Sequence, residues 1–398
     1  MSRFRLYPTP AQQAALLEQC RHARCVWNLA LEQWSMWTRD KRRTPGYVEQ
    51  ARQLTEARAA FDWLRAGSQT VQQQALRDFD QAVKNFYAGT HQRPTWRKAR
   101  WHEGFRIVGV QAGRVEQVNR RWTRVLVPKV GWVRFRRTRA APVAKSYRVT
   151  RDRAGRWHLA FAVVPESIPA PKTGEVVGVD RGVTVSAALS TGELLTCPGL
   201  SEREQERLKH LQRRLDRCRR GTKRRQRVKL AIAKLHARAG DRRKDWVEKT
   251  STDLARRFDV IRVEDLRIAH MTSRPKPKPD PERPGRYLPN RRRAKAGLNR
   301  GILANGWGAL VRRLEQKAPG RVEKVNPAYT SQTCSVCGHC APENRENQAV
   351  FRCVACGHKA NADVNAAVNI AAGRAVSARR ETPARVLSKR EPQPATSA

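Results

Sequence analysis

No stretch of this 398-residue chain approaches the ~20 consecutive apolar residues that a bilayer-spanning helix needs, so a membrane role is not expected. The opening Met1-Ser2-Arg3-Phe4-Arg5 leads into no apolar run of the kind a secretory signal carries. Acidic residues are scarce: 35 Asp and Glu stand against 81 Lys and Arg, a net charge of +46. A solvated surface does not need so lopsided a balance, and like charges repel in a compact state unless a polyanion stays bound. The bases are mostly arginine, which grips phosphate in a bidentate way, so a nucleic-acid partner is expected, with a structural RNA the natural choice. No disulfide framework is present either. The cysteines number nine, and Cys20, Cys25, Cys197, Cys218 and Cys340 show no pairing pattern, which points to a reducing compartment. Absent too are a GxxxxGK[ST] phosphate loop and any Ser, Cys or His nucleophile constellation.

What is present is concentrated between Tyr329 and Ile370. Cys334-x2-Cys337 is followed after fifteen residues by Cys353-x2-Cys356. Two tight turns, each aiming a pair of thiolates at one ion, are what a tetrahedral structural zinc requires. Cys340, His339 and His358 lie close by and are not assigned as ligands. Seven residues past Cys356, Asp363 opens the small-residue helix NADVNAAVNIAA. Two other carboxylates stand in matching contexts: Asp180 ends EVVGVD and Glu264 ends DVIRVE, each after a Val/Ile-rich run that reads as a buried strand. Two strands and a helix can bring three acids together at the edge of one sheet. Hard divalent cations need such oxygen donors, and paired ions ~3.5–4 Å apart clamp the attacking and leaving oxygens of a phosphodiester.

These segments resemble the TnpB family, insertion-sequence proteins related to type V CRISPR effectors. The resemblance rests on GVDRGV, RKDWVEKTSTDLARRFDVIRVEDL, NPAYTSQTCSVCGH, FRCVACGHKANADVNAAVNI and the N-terminal RLYPTPAQQ…RHARCVWNLALEQW. It covers nearly everything but the last ~20 residues. It implies an α+β multidomain chain: a wedge-like β-barrel domain from 1–8 and 93–168, a helical recognition domain at 9–92 inserted in it, and a RuvC/RNase H-like α/β nuclease domain from 174–326 and 359–376. A four-cysteine zinc ribbon at 327–358 interrupts the nuclease domain and serves target binding, and residues 377–398 form a disordered tail.

The implied activity is RNA-guided DNA endonuclease. A guide RNA pairs with the target strand, the protein reads a short adjacent motif in double-stranded DNA, and Asp180, Glu264 and Asp363 hold two Mg2+ or Mn2+ ions for phosphodiester hydrolysis. The structural ion is zinc on Cys334, Cys337, Cys353 and Cys356. The protein is expected as a monomer or homodimer on one RNA, in the bacterial cytoplasm and on the nucleoid through DNA. Miniature type V effectors share the same motifs, so both origins stay open. An RNA-guided repressor that does not cut, or a transposase or transposase accessory protein, are the alternatives; no separate strand-transfer tyrosine motif is visible.

The rest of the chain fits around this core. Thr9-Pro10-Ala11-Gln12 is a helix-start signature before an amphipathic helix whose segment corresponds to the family's helix-turn-helix. A basic turn follows, RDKRRTPG, then helical regions at 47–65 and 68–87. Gln69 and Gln73 fall on the polar side of the latter, either as motif readers or as a solvated face. RPTWRKARW offers Trp96, Arg97 and Lys98 to nucleic acid, although Trp96 and Trp101 could equally cover a barrel end. RVEQV, TRVLVPKV, GWVRFRR, KSYRVTRD and RWHLAFAVV read as the strands of a small antiparallel barrel. A charged helical hairpin spans 201–237 and turns near Gly221, with Lys223, Arg224 and Arg225 as a phosphate-contact patch or a solvated one; a separate helix covers 241–258. Six prolines between Pro275 and Pro289 forbid regular structure there, leaving a basic loop that is either a lid or a linker. A single amphipathic helix is expected over 299–317, then a strand at RVEKVNP.

Overall fold

The computed structural model describes residues 2–36, 44–164, 166–283 and 285–373. The expected disordered tail at 377–398 and residues 39–43 of the basic turn RDKRRTPG lie outside the described residues. Chain contacts group into two compact units, Met1–Glu166 with Leu200–Asp241, and Ser167–Gly199 with Arg242–Ala398.

In the first unit, β1 (Ser2–Leu6) leads into α1 (Pro10–Ser35), which starts as the sequence indicates. The Thr9 hydroxyl accepts from the Gln12 amide at 3.3 Å, and the Gln12 side chain accepts from the Thr9 amide at 3.1 Å. Helix α2 (Tyr47–Ala60) is followed by a short α3 (Asp62–Ala66) and by α4 (Gln69–Tyr87). The helical region expected over 47–65 is thus two helices parted at Phe61. Phe61 is extended, and the Arg58 guanidinium donates to the carbonyls of Leu64 and Gly67 at 3.0 and 3.2 Å.

Six further strands follow: β2 (Gly104–Val108), β3 (Val115–Gln117), β4 (Trp122–Val127), β5 (Gly131–Arg136), β6 (Ser146–Arg151) and β7 (Trp157–Phe161). With β1 they make one antiparallel sheet in the order β2-β6-β7-β1-β5-β4-β3. Strand β2 escaped the sequence reading because its five residues directly follow the basic, aromatic loop. The N-terminal strand lies in the middle, completing a sheet whose other strands come a hundred residues later. A single 3-10 turn, Gly109–Gly113, touches β2 and β6 at one edge and β4 near the other, so the sheet curls.

Alternation explains which face is buried: Thr123, Val125 and Val127 of β4 point in while their neighbours are half-exposed. Leu16, Cys20, Ala23, Trp27 and Leu31 of α1 join Val71, Ala75 and Phe79 of α4 and Phe4, Ile107, Phe135, Leu159 and Phe161 of the sheet in one apolar cluster. The helices of 9–92 thus share the sheet's core. Each large side chain buried there contributes roughly 1.5–3 kcal/mol.

The second unit opens with β8 (Val176–Asp180), β9 (Ala187–Leu189) and β10 (Leu194–Leu195), an antiparallel meander. Helix α5 (Glu202–Asp216) starts on a Ser201/Glu204 capping box and belongs to the first unit. Helix α6 (Lys223–Arg257) runs unbroken for 35 residues, and the division between units falls within it, after Asp241. The two helices expected over 223–258 are one. Nothing near 237–241 stops a helix, since a lone Gly240 costs only about 1 kcal/mol against alanine.

Next come β11 (Val260–Glu264), a short α7 (Ile268–Met271), and β12 (Lys278–Pro279) paired with β13 (Tyr287–Leu288). That pairing corrects the expectation that the proline-rich segment holds no regular structure: prolines tolerate a strand wherever no ladder donor is needed. In place of one helix over 299–317 there are two, α8 (Arg292–Ala304) and α9 (Trp307–Lys317). They part at Asn305, whose amide donates to the Val183 carbonyl at 2.8 Å and whose oxygen accepts from the Ser186 hydroxyl at 2.6 Å.

Strand β14 (Val322–Val325) then pairs parallel to β11, and β11 parallel to β8, giving the order β10-β9-β8-β11-β14. The unit closes with β15 (Val350–Arg352), β16 (Lys359–Asn361) and α10 (Ala362–Ala371).

Period-two alternation divides this sheet's two faces. Val177 and Val179 of β8 and Ile261 and Val263 of β11 pack with Val247 and Leu254 of α6, Phe258 just past its end, and Leu310 and Leu314 of α9. Gly178, Asp180, Arg262 and Glu264 fall on the opposite face, against which α10 lies. The approach is close: a Cβ at Gly178 would stand 2.0 Å from the Ala367 carbonyl oxygen.

Candidate active site and metal centre

Asp180 and Glu264 are the last residues of neighbouring parallel strands, and the register pairs Val179 with Val263 one step before them. Both acids therefore emerge side by side from the strands' C-terminal ends, on the face that α10 covers. They stand at the ends of central strands, where the sequence had placed them at a sheet edge. Asp363 comes from the first turn of α10, whose N-cap Asn361 accepts from the Asp363 and Val364 amides at 3.0 and 3.2 Å. One Asp363 carboxylate oxygen comes within 3.7 Å of the Cβ position of Gly182, just past Asp180.

The electrostatics express this crowding. Burial, and then the charges of Glu264 and Asp363, push the Asp180 carboxyl up to about 7. Burial also raises Glu264, which is 9 % exposed, against the opposing pull of Thr330 and Arg181. Asp363 is raised by burial and restrained by Arg345. Three acids held ionised at such a place need cationic charge among them. The chain supplies part of it: Arg345 Nη2 lies 3.3 Å from Asp363 Oδ1, and the buried Arg181 guanidinium donates to the Glu264 carbonyl. Thr330 Oγ1 donates to Glu264 Oε1 at 2.9 Å. Sequence reasoning named all three acids and missed Thr330, Arg181 and Arg345. A lone threonine or arginine in a loop carries no periodic signal.

The four cysteines meet as their spacing indicates. Their Sγ atoms all lie within 4.8 Å of one another, the one group of three or more Cys, His, Asp or Glu to do so among the described residues. Cys334 Sγ and Cys356 Sγ are 3.7 Å apart, and Cys337 Sγ and Cys353 Sγ 3.5 Å. A tetrahedral zinc with bonds of ~2.3 Å sets its sulfurs about 3.8 Å apart, so the donor set fits that ion.

The two halves of this centre repeat one device. The Cys334 amide donates to the His339 carbonyl and the Gly338 amide to the Cys334 carbonyl; Cys353, His358 and Gly357 do the same, at 2.9 and 3.0 Å in both. Gly338 and Gly357 take φ of 78° and 74°, which a side chain disfavours. His339 and His358 thus serve through their backbone carbonyls, and Cys340 stands outside the sulfur cluster. Asn344, fully buried, joins the halves: it donates to the Gln332 and His339 carbonyls and accepts from the Val354 amide.

The residues singled out for nucleic-acid contact divide. Gln69 is exposed and Gln73 half-buried, whereas their neighbour Gln72 is buried and donates to the Leu64 carbonyl. Trp96 and Trp101 are 49 % and 62 % exposed, so neither seals the sheet, and Trp101 stacks against Arg153. Lys98 is exposed, but the Arg97 guanidinium lies 3.6 Å above the Trp27 ring and burial lowers it to about 10. Lys223 and Arg224 are exposed, while Arg225 donates to the Leu215 and Cys218 carbonyls at 2.5 and 2.9 Å, capping the end of α5.

Comparison with known proteins agrees with this architecture. A sequence profile described as "Cas12f1-like, TNB domain" matches residues 307–370, one described as "Probable transposase" matches 147–274, and one described as "Helix-turn-helix domain" matches 2–42. The "Putative RNA-guided DNA endonuclease InsQ" of Escherichia coli (strain K12) is 34% identical over 384 residues, 94% of this chain and 92% of that protein. The chain belongs to the TnpB family. A "Putative RNA-guided DNA endonuclease" of Streptomyces pristinaespiralis is 31% identical over 425 residues, covering 99% of this chain and 96% of the relative. Among solved structures, a Cas12f1-sgRNA-target DNA complex shares the fold with a TM-score of 0.52 at 14% identity, covering 90% of this chain and 83% of that one. Among the described residues no helix is long and apolar enough to cross a membrane.

Proposed function

We propose that this TnpB-family protein is an RNA-guided DNA endonuclease that cleaves both strands of its target at one RuvC-like site. The observation that carries the reading is the placement of Asp180 and Glu264 at the ends of adjacent parallel strands, on the sheet face against which the helix of Asp363 lies, in a chain whose near full-length relatives are named as such nucleases. The strand order β10-β9-β8-β11-β14, antiparallel then parallel, supports an RNase H-like assignment for the second unit.

The residues that would hold two Mg2+ or Mn2+ ions are Asp180, Glu264 and Asp363, an all-oxygen set of the kind hard cations take. Bound there, the ions supply Lewis acidity for the attacking water and charge for the leaving oxygen of the phosphodiester. Arg345, 3.3 Å from Asp363 Oδ1, would offer its remaining donors to the phosphate's non-bridging oxygens. Arg181 and Thr330 hold Glu264 from behind, through its carbonyl and its carboxylate. Zinc on the four cysteines keeps the ribbon folded, since its apolar cluster is small: Phe351 and Ala362 beside Cys334 and Cys353.

The guide RNA supplies sequence recognition by pairing, and the protein's positive charge holds the duplex by its backbone. Lys223, Arg224 and Lys98 are exposed cations suited to phosphate. Trp96 offers a stacking surface, and Gln69 and Gln73 suit an adjacent motif. The test is Asp180→Ala in the RNA complex with Mg2+ and a matched plasmid. Cleavage is expected to disappear while RNA binding persists. Full cutting by that variant contradicts the assignment, and a wild-type complex that binds but never nicks favours a repressor.

A further inference from the structure

The joint between the zinc ribbon and α10 is polar where packing alone would favour apolar groups. Thr330, Thr333, Asn365 and Asn369 are each no more than 2 % exposed. Asn365 and Asn369 stand one helical turn apart on one face of α10. Asn369 donates to the carbonyls of Thr330 and Thr333 at 3.0 and 2.7 Å. Asn365 donates to the Thr333 carbonyl at 2.8 Å and accepts from the Ser335 amide at 3.0 Å, next to Cys334.

Thr330 closes the chain at its other end. Its hydroxyl reaches Glu264 Oε1 at 2.9 Å, with the Pro327 carbonyl as alternative acceptor at 3.2 Å. One continuous path of hydrogen bonds therefore runs from a zinc-ligating cysteine segment, through the helix that carries Asp363, to the carboxylate of Glu264. Buried networks of this kind fix orientation where apolar contacts would allow sliding.

We propose that Thr330 is a positioning residue for Glu264, and that Asn365 and Asn369 lock its segment to the helix of Asp363. The zinc ribbon thereby sets the spacing of the carboxylates and their affinity for divalent cations. The inference rests on the reading that these acids bind such cations. Groups that orient a metal's carboxylate ligands typically change affinity 10–100-fold when removed.

The test uses the full-length protein with its zinc and Mn2+ as probe, read by loss of the free-ion electron paramagnetic resonance signal. Thr330→Val removes the hydroxyl, and an Mn2+ Kd raised about tenfold or more is expected. Zinc content should be unchanged, and Thr330→Ser should restore binding. Asn369→Ala leaves the Thr330–Glu264 bond possible but frees the segment from α10, and it carries the same expectation should the valine variant not fold. Wild-type Mn2+ affinity in either zinc-replete variant overturns the inference. Glu264→Gln separates the two levels: if it binds Mn2+ as the wild type does, the carboxylate-cation reading itself fails, and this inference with it. If only Glu264→Gln is impaired, the positioning role alone fails.

Discussion

At Gly178 a single missing Cβ lets α10 lie directly on β8 and brings Asp363 to Asp180. The alanine variant would press its methyl against the Ala367 carbonyl and the Ala371 amide, both of them backbone and unable to swing aside. Overpacking of this kind costs about 1–3 kcal/mol, so Gly178→Ala should lower the melting temperature and cut cleavage together. A thermal melt and a plasmid assay check this, and a variant unchanged in both would mean that α10 seats differently. A second residue-scale expectation concerns His158, 3.0 Å from Asp152 Oδ2. Burial holds this imidazole down at about 4, against an ordinary value of 6.5. The unfolded chain therefore takes up a proton that the folded one refuses, and stability falls as pH drops from 6.5 toward 4. Asp152 adds to the same acid loss at lower pH: burial would raise it, but bonds from His158 and Arg156 bring it to about 2. Melting temperatures between pH 7 and 5 should fall, and more steeply than in His158→Gln. At this scale the three acids were legible because each ends an apolar run or opens a small-residue helix. Arg97 and Arg225 were not, since charge alone does not distinguish an arginine facing phosphate from one lying on Trp27 or capping a helix.

Elements show the same division. The cysteine spacing foretold both halves of the ribbon, because a metal imposes its geometry on very few residues. The capping boxes at Thr9 and Ser201 foretold two helix starts. Long-range partners set the features that were missed: Asn305 parts α8 from α9 by bonding to Val183 and Ser186, far away in sequence. The hairpin of α5 and α6 permits a direct comparison. Arg225→Ala should loosen it, at about 1 kcal/mol for lost bonds to carbonyls; this is readable as faster amide exchange at the end of α5. Arg224→Ala should weaken RNA binding and leave that exchange alone. The reverse pattern would mean the two arginines have been assigned the wrong way round. For the ribbon, Cys356→Ser should abolish zinc retention and cleavage together, measured by metal analysis and plasmid assay. A zinc-free variant that still cuts would separate the ribbon from catalysis.

For the whole molecule, the excess of 81 bases over 35 acids was the plainest signal in the sequence, and it says more about partners than about fold. Two compact units, one built on a curled antiparallel sheet and one on a mixed sheet, carry that charge. Binding of RNA should depend steeply on salt, because each neutralised phosphate releases counter-ions. The central claim is that pairing with a bound RNA directs cleavage. The most direct measurement is to purify the protein with its native flanking DNA expressed, sequence the RNA that comes with it, and replace the variable end of that RNA. The account predicts one discrete RNA, with Mg2+-dependent cutting that moves to whatever sequence the new end matches. Random or absent RNA, or cutting that ignores the replacement, would contradict it.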